Sequence, residues 1–170
     1  MRFLSTYEVT GRNGTTLTDA WGTDDARAYY GLAVPEFPNF FILYGPNIAP
    51  GHGGSLILTV EAQVDYLVEL LEGAADRDLT RIEVTNDAYQ QYNAAIDTAH
   101  EDMVWTHPGM ATYYRNSAGR VVVSNPFRII DFWSQTRHVN WHDWTNPNPT
   151  EHHHHTGTTN TIAATANTQE

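Results

Sequence analysis

The sequence predicts an α/β fold, and three observations carry that reading. Residues 40–44 are apolar at every position, the pattern of a strand buried on both faces of a parallel sheet. Residues 56–71 repeat apolar side chains at helical spacing. Residues 81–85 then offer a short strand ahead of a second helical pattern, so the elements run strand, helix, strand, helix. A length of 170 residues suits one ordinary domain.

The first element expected is a hairpin over residues 5–17, two β-prone pieces around a turn at 11–14 that contains Asn13-Gly14. A helical turn at 19–21 follows. Residues 28–38 hold two prolines and an aromatic cluster, which predicts an extended connection packed on a core outside any central sheet. After the strand at 40–44 comes a loop with Gly45, Gly51, Gly53 and Gly54, and Ser55 stands where a helix N-cap belongs. In the helix that follows, Leu56, Val60, Val64, Leu67 and Leu71 predict the buried face, Glu61, Asp65 and Glu69 a solvated one, and Gly73 the end. Asn86 is placed to cap a helix that turns Tyr89, Tyr92, Ile96, Ala99 and Met103 to one side. A second hairpin is expected over 112–123, turning at 116–119. Asn125-Pro126 reads as the cap and first residue of a helix over 127–137 that packs Phe127, Ile130 and Trp133. From residue 145 to residue 170 the composition turns polar and rich in His and Thr, which predicts a disordered tail.

Composition excludes several classes of function. Nine arginines, no lysine and twenty acids leave a formal charge of -11, so no basic stripe for nucleic acid exists. That balance fits either adaptation to high salt or a genome that favours arginine codons. Cysteine is absent, which removes disulfide and thiolate chemistry. No apolar run reaches membrane-spanning length and the first residues lack the features of a secretion signal, so a soluble cytoplasmic protein is expected. No HExxH motif occurs, and Ser55 lacks the G-x-S-x-G setting of a hydrolase nucleophile, so no catalytic residue and no metal site is assigned.

The glycine loop leads into a helix whose first amide groups lack intrahelical acceptors. That is either a cradle for an anion or an electron-rich group, or a plain strand-to-helix joint. The rings and arginines of the second half, including Trp105, Tyr113, Tyr114, Arg115 and Arg120, suit stacking on a nucleotide or ordinary packing.

Three longer strings favour the first alternative in each case: YYGLAVPEFPNFFILYGPN, GHGGSLILTVEAQVDYL and VWTHPGMATYYRNSAGRVVVSNPFRIIDFW. In this order they resemble the C-terminal portion of flavin-dependent class B monooxygenases, the Baeyer-Villiger group, and most closely its 4-hydroxyacetophenone monooxygenase-like branch. The resemblance runs from the first hairpin to Arg137. It implies an α/β fold that is the C-terminal part of a two-dinucleotide-binding-domain flavoprotein, here residues 1–144, with the nucleotide-binding N-terminal parts absent.

The resemblance further implies FAD and NADPH as cofactors and oxygen insertion into a ketone or oxidation of a heteroatom. Gly45, Pro46, Asn47, Gly53, Gly54 and Ser55 would border the flavin, and Trp105 matches a tryptophan that lies against the nicotinamide cofactor. Tyr114, Arg115 and Asn116 match the branch's aromatic-Tyr-basic-Asn string. The 170 residues contain no G-x-G-x-x-G fingerprint, so activity of this chain alone is not expected. A small ketone or aromatic substrate and a companion chain carrying the dinucleotide-binding domains are the implied partners. A non-catalytic remnant or accessory subunit that binds no flavin is the alternative. An uncovered strand edge at 40–44 would make the isolated polypeptide marginal or prone to aggregate.

Overall fold

The computed structural model describes residues 3–145. Their elements in chain order are helix α1 (Leu17–Trp21), strand β1 (Ala49–Pro50), helix α2 (Leu56–Ala75), strand β2 (Glu83–Val84), helix α3 (Asn86–His100), strand β3 (Ser124–Asn125), helix α4 (Ile129–Gln135) and strand β4 (Trp144–Thr145). Strand β1 runs parallel to β3, and β2 antiparallel to β4. Each strand has two residues, so packing of helices and loops holds the fold more than any ladder does. Of the expected polar tail, 145–170, only Thr145 is described, and it pairs with Glu83; residues 146–170 lie outside the described residues.

Local chemistry starts each element. The first hairpin is reduced to one bridge, Thr10 to Thr16, closed by a 3-10 turn in which Asn13 and Gly14 take positive φ. Thr16 and Asp19 then form a reciprocal capping box that starts α1, with Oγ1 of Thr16 accepting from the Asp19 amide at 3.1 Å. Ser55 caps α2 as expected, accepting the Leu58 amide at 3.3 Å. Thr85, not Asn86, caps α3. The second hairpin turns where predicted, with the Gly119 amide donating to Asn116 at 2.9 Å and one bridge between Arg115 and Val121.

Residues 40–44 are not a strand. Asn39 and Tyr44, both at positive φ, bracket the run, and the Asn39 side chain ties the chain to Thr80 and Ile82. Ile42 alone is buried there, while Leu43 and Tyr44 are exposed. The parallel pairing falls instead on β1, five residues downstream of Tyr44. Residues 28–38 are less a connection on the core than its centre: Ala28, Tyr29, Leu32, Ala33, Val34 and Phe37 are all buried. The chain folds back at positive-φ Tyr30 and Gly31, where a Cβ on Gly31 would overlap Ile48.

The aromatic rings of that turn organise the interior. Tyr30 packs on Tyr29, Tyr92 and Tyr66 with centroids 4.3, 4.9 and 5.5 Å apart, and on Phe132 at 6.2 Å. Tyr66 accepts a 3.0 Å hydrogen bond from the Trp144 indole, and the Tyr29 hydroxyl donates to Asp143 at 2.7 Å. A smaller cluster of Ile48, Ala62 and Phe132 joins the main core through Tyr30.

Helix α2 turns the other way from its prediction. Its buried side is Thr59, Ala62, Gln63, Tyr66, Leu70 and Ala74, whereas Leu56, Val64 and Leu71, expected inside, are exposed. Gly73 does not end the helix, which continues to Ala75. Trp141 lies so close over it that a Cβ would overlap the ring, and the Arg77 guanidinium, which donates to the Gly73 carbonyl, stacks on that ring at 4.1 Å. Helix α4 also differs from expectation. Asn125 makes a local turn by accepting the Phe127 amide, Arg128 holds the N-cap position, and Phe132 is buried while Ile130 and Trp133 are exposed.

Candidate functional site

The glycine loop divides into an inner and an outer half. Gly45 lies against the Gly31 carbonyl with no room for a Cβ, and Pro46 and Asn47 are buried behind it. Asn47 is buried and held by three hydrogen bonds: its Nδ2 donates to the Val121 and Ser124 carbonyls at 2.9 and 3.1 Å, and its Oδ1 accepts from Arg120 at 3.1 Å. This half anchors the loop, with both amide donors of Asn47 already used.

The outer half opens to solvent. Gly51 fits between the Asn125 carbonyl and the Trp105 ring, and the His52 ring donates to the Pro126 carbonyl at 2.6 Å. Gly53 and Gly54 follow at φ of 80° and 117°, a backbone that L side chains rarely adopt; nothing lies within 4 Å of a Cβ built on Gly53. Ser55 then starts α2, whose first turn holds no acidic residue. The Leu56 and Ile57 amides have no acceptor inside the helix, and the helix dipole adds partial positive charge at that end.

Trp105 borders this opening. Tyr114 meets it edge-on at 5.5 Å, and Tyr113 packs on Tyr114 at 4.3 Å. The Trp105 indole N–H is buried and has no acceptor among the described residues. Burial, reinforced by the nearby Tyr114, pushes the Tyr44 phenol above its ordinary pKa. Arg115 folds back instead, its Nε donating to the Gly119 carbonyl, and Asn116 donates to Asp25. The string around Tyr114 therefore splits: the tyrosine faces Trp105, and its two successors brace their own turn.

Several residues outside the loop hold it in place, among them Gln63, which was not singled out by sequence. Gln63 is buried, accepts the Tyr44 amide at 2.9 Å and donates to the Tyr30 carbonyl at 2.8 Å, which fixes the strained turn before Gly45. Its helical spacing from Thr59, Tyr66 and Leu70 was the available signal. Arg120 joins Asn47 to Asp97 at 2.7 Å, and Asp97 in turn holds Arg27 at 2.8 Å. His100 is buried with its ring donating to the Ser124 carbonyl, and burial lowers its pKa, so it is neutral near pH 7. An open apolar groove of about 460 Å³, lined by Tyr44, Leu56, Ile57, Val60, Glu61, Val64 and Asp65, extends the site along α2.

Solved structures of monooxygenases share this fold. A steroid monooxygenase structure bound to NADP matches with a TM-score of 0.67 at 23% identity, over 79% of this chain and 24% of that one. A cyclohexanone monooxygenase mutant from Rhodococcus bound to NADP+ matches with a TM-score of 0.66 at 19% identity, over 81% and 25%. The chain has the mixed helix-and-strand fold of the C-terminal part of two-domain flavin monooxygenases.

Sequence relatives agree. The uncharacterized monooxygenase y4iD of Sinorhizobium fredii is 45% identical over 143 residues, 84% of this chain and 22% of the relative. The FAD-binding monooxygenase ktnD of Aspergillus niger is 32% identical over 84% of this chain and 24% of its own. A Baeyer-Villiger monooxygenase of Pseudomonas aeruginosa is 33% identical over 62% and 20%. The relatives of this chain are thus flavin-dependent monooxygenases of the Baeyer-Villiger and FAD-binding type, and it spans about a quarter of their length. No protein-family model matches it. Among the described residues no helix is long and apolar enough to cross a membrane.

Proposed function

We propose that this chain is the C-terminal region of an FAD- and NADPH-dependent monooxygenase of the Baeyer-Villiger type, in the 4-hydroxyacetophenone monooxygenase-like branch, and that it is inactive without the nucleotide-binding segments. The observation that carries the reading is the open Gly53-Gly54-Ser55 entry to α2 beside Trp105, with no carboxylate in the helix's first turn. Such an edge accepts an electron-rich carbonyl, as the flavin ring presents. Gly53, Gly54 and Ser55 would hold that edge through backbone amides, and the dipole of α2 would favour negative charge there. Trp105, with its buried and unpartnered indole N–H, would bound the nicotinamide side. Bound FAD, reduced by NADPH, supplies the electrons that activate dioxygen for transfer to a ketone or a heteroatom.

Gly45, Pro46 and Asn47 act at one remove, by anchoring the loop on Arg120 and β3. The absence of any G-x-G-x-x-G motif in the 170 residues favours a second reading, an accessory or remnant chain that binds no flavin.

The two separate on one experiment. The purified chain is expected to show no flavin absorbance near about 450 nm. Co-expression with the part of the Sinorhizobium fredii relative outside its matched residues is expected to yield a yellow complex that oxidises NADPH faster when an aryl ketone is added. A complex that retains no flavin supports the remnant and ends the first reading.

A further inference from the structure

Helix α2 carries its most aliphatic stripe on the side that no described residue covers. Ile57 is 69% exposed, Leu56 46%, Val64 38%, Val68 46% and Leu71 47%. At spacings of three and four residues these side chains, with Val60 between them, form one continuous band about 22 Å long. Singly exposed apolar residues are ordinary, but a contiguous band of this kind marks a contact surface. Its N-terminal end is the groove beside Tyr44, directly after Ser55, so the band starts where the open half of the glycine loop ends.

Charge narrows the occupant. Glu61, Asp65 and Glu72 rim the band, and α2 holds no lysine or arginine. Two copies of this chain brought face to face would set those carboxylates against each other in a molecule of net charge -11. Residues 146–170 contain one large apolar side chain, Ile162, too few to match the band. The sequence relatives, by contrast, are about four times as long as the part they share with this chain.

We infer that the outer face of α2 is the docking surface for a polypeptide carrying the nucleotide-binding segments of the monooxygenase, through a contact that is apolar at its centre and basic at its rim. The inference rests on the function proposed above, and it adds which surface assembles the enzyme and the chemistry of its partner. The partner would complete the site by supplying the wall opposite Gly53 and Gly54.

The test is association, read without any flavin. The tagged 170-residue chain is co-expressed with the Sinorhizobium fredii relative lacking its matched residues, and the mass of the purified species is measured by light scattering. A one-to-one complex is expected, and the full-length relative, whose own copy of this region fills the place, is expected not to bind. Val64→Asp with Val68→Asp should weaken the complex by roughly thirtyfold or more, with the chain alone still melting cooperatively. Glu61→Gln with Asp65→Asn should weaken it mainly at low salt.

Three results overturn the inference: no complex, a complex indifferent to Val64 and Val68, or a homodimer of this chain that those two substitutions dissolve. A complex that forms through this face yet holds no flavin leaves the docking surface standing and overturns the function instead.

Discussion

The two sides of α2 differ in a way opposite to what hydropathy suggests. The inner side, Thr59, Ala62, Gln63, Tyr66, Leu70 and Ala74, mixes polar, small, aliphatic and aromatic residues. Gln63 bridges two loops, Tyr66 meets the Trp144 indole, and nearby Gly73 makes room for Trp141. The outer side is a plain band of Leu, Ile and Val, largely exposed among the described residues. Interior packing inside one chain rewards shape and hydrogen-bond match, whereas an uncovered surface shows only its hydrophobicity. The stronger apolar signal therefore marks a contact still to be made.

Substitutions along the helix sharpen this contrast. Tyr66→Ala should be the most damaging, costing about 4 kcal/mol, since it empties the centre of the aromatic cluster and leaves the Trp144 N–H unpaired; chemical denaturation measures it, and a loss below half that size would mean the inner side is loosely packed. Gln63→Leu keeps the volume but strands the Tyr44 amide and the Tyr30 carbonyl, so a loss of about 2 kcal/mol is expected, together with faster hydrogen exchange at Tyr44. Ser55→Ala removes the cap at the junction of the two sides and should cost about 1 kcal/mol, seen in the same denaturation series. Val68→Thr on the outer side should change the stability of the chain by no more than about 0.5 kcal/mol. A loss near that of Gln63→Leu would show that Val68 is already covered, and the comparison between the sides would collapse.

Much of the local structure was legible. Ser55 caps α2, Asn13-Gly14 and the residues around Gly119 turn the chain, and the helical periods lie where the helices form, because caps and turns depend on side chains within a few residues of the backbone they satisfy. The loop from Gly45 to Ser55 was recognisable as a unit, and the strings around it pointed to the right class of relatives. Its division into a buried anchor and an open rim was not visible, since Asn47 owes its role to Arg120, Val121 and Ser124, all more than seventy residues away.

The failures share a cause. Residues 40–44 look like a buried strand by composition, yet strandhood requires a neighbouring strand to receive the backbone hydrogen bonds, and here the Phe40, Ile42 and Tyr44 amides donate instead to the Phe37 carbonyl, the Leu32 carbonyl and the Gln63 side chain. Helix α2 shows a clear apolar period, but a period measures angle about the helix axis and does not say which angle meets the core. By itself, then, the sequence determined the helical periods, the Ser55 cap, the turns at Asn13-Gly14 and at residues 116–119, the acidic charge and the open glycine joint, all consequences of short-range chemistry. Only the tertiary structure decided that Asn47 is an anchor, that Trp105 borders the open joint, and that α2 turns its most aliphatic face outward. Those depend on distant residues meeting, and a pattern read along one dimension does not encode which ones do.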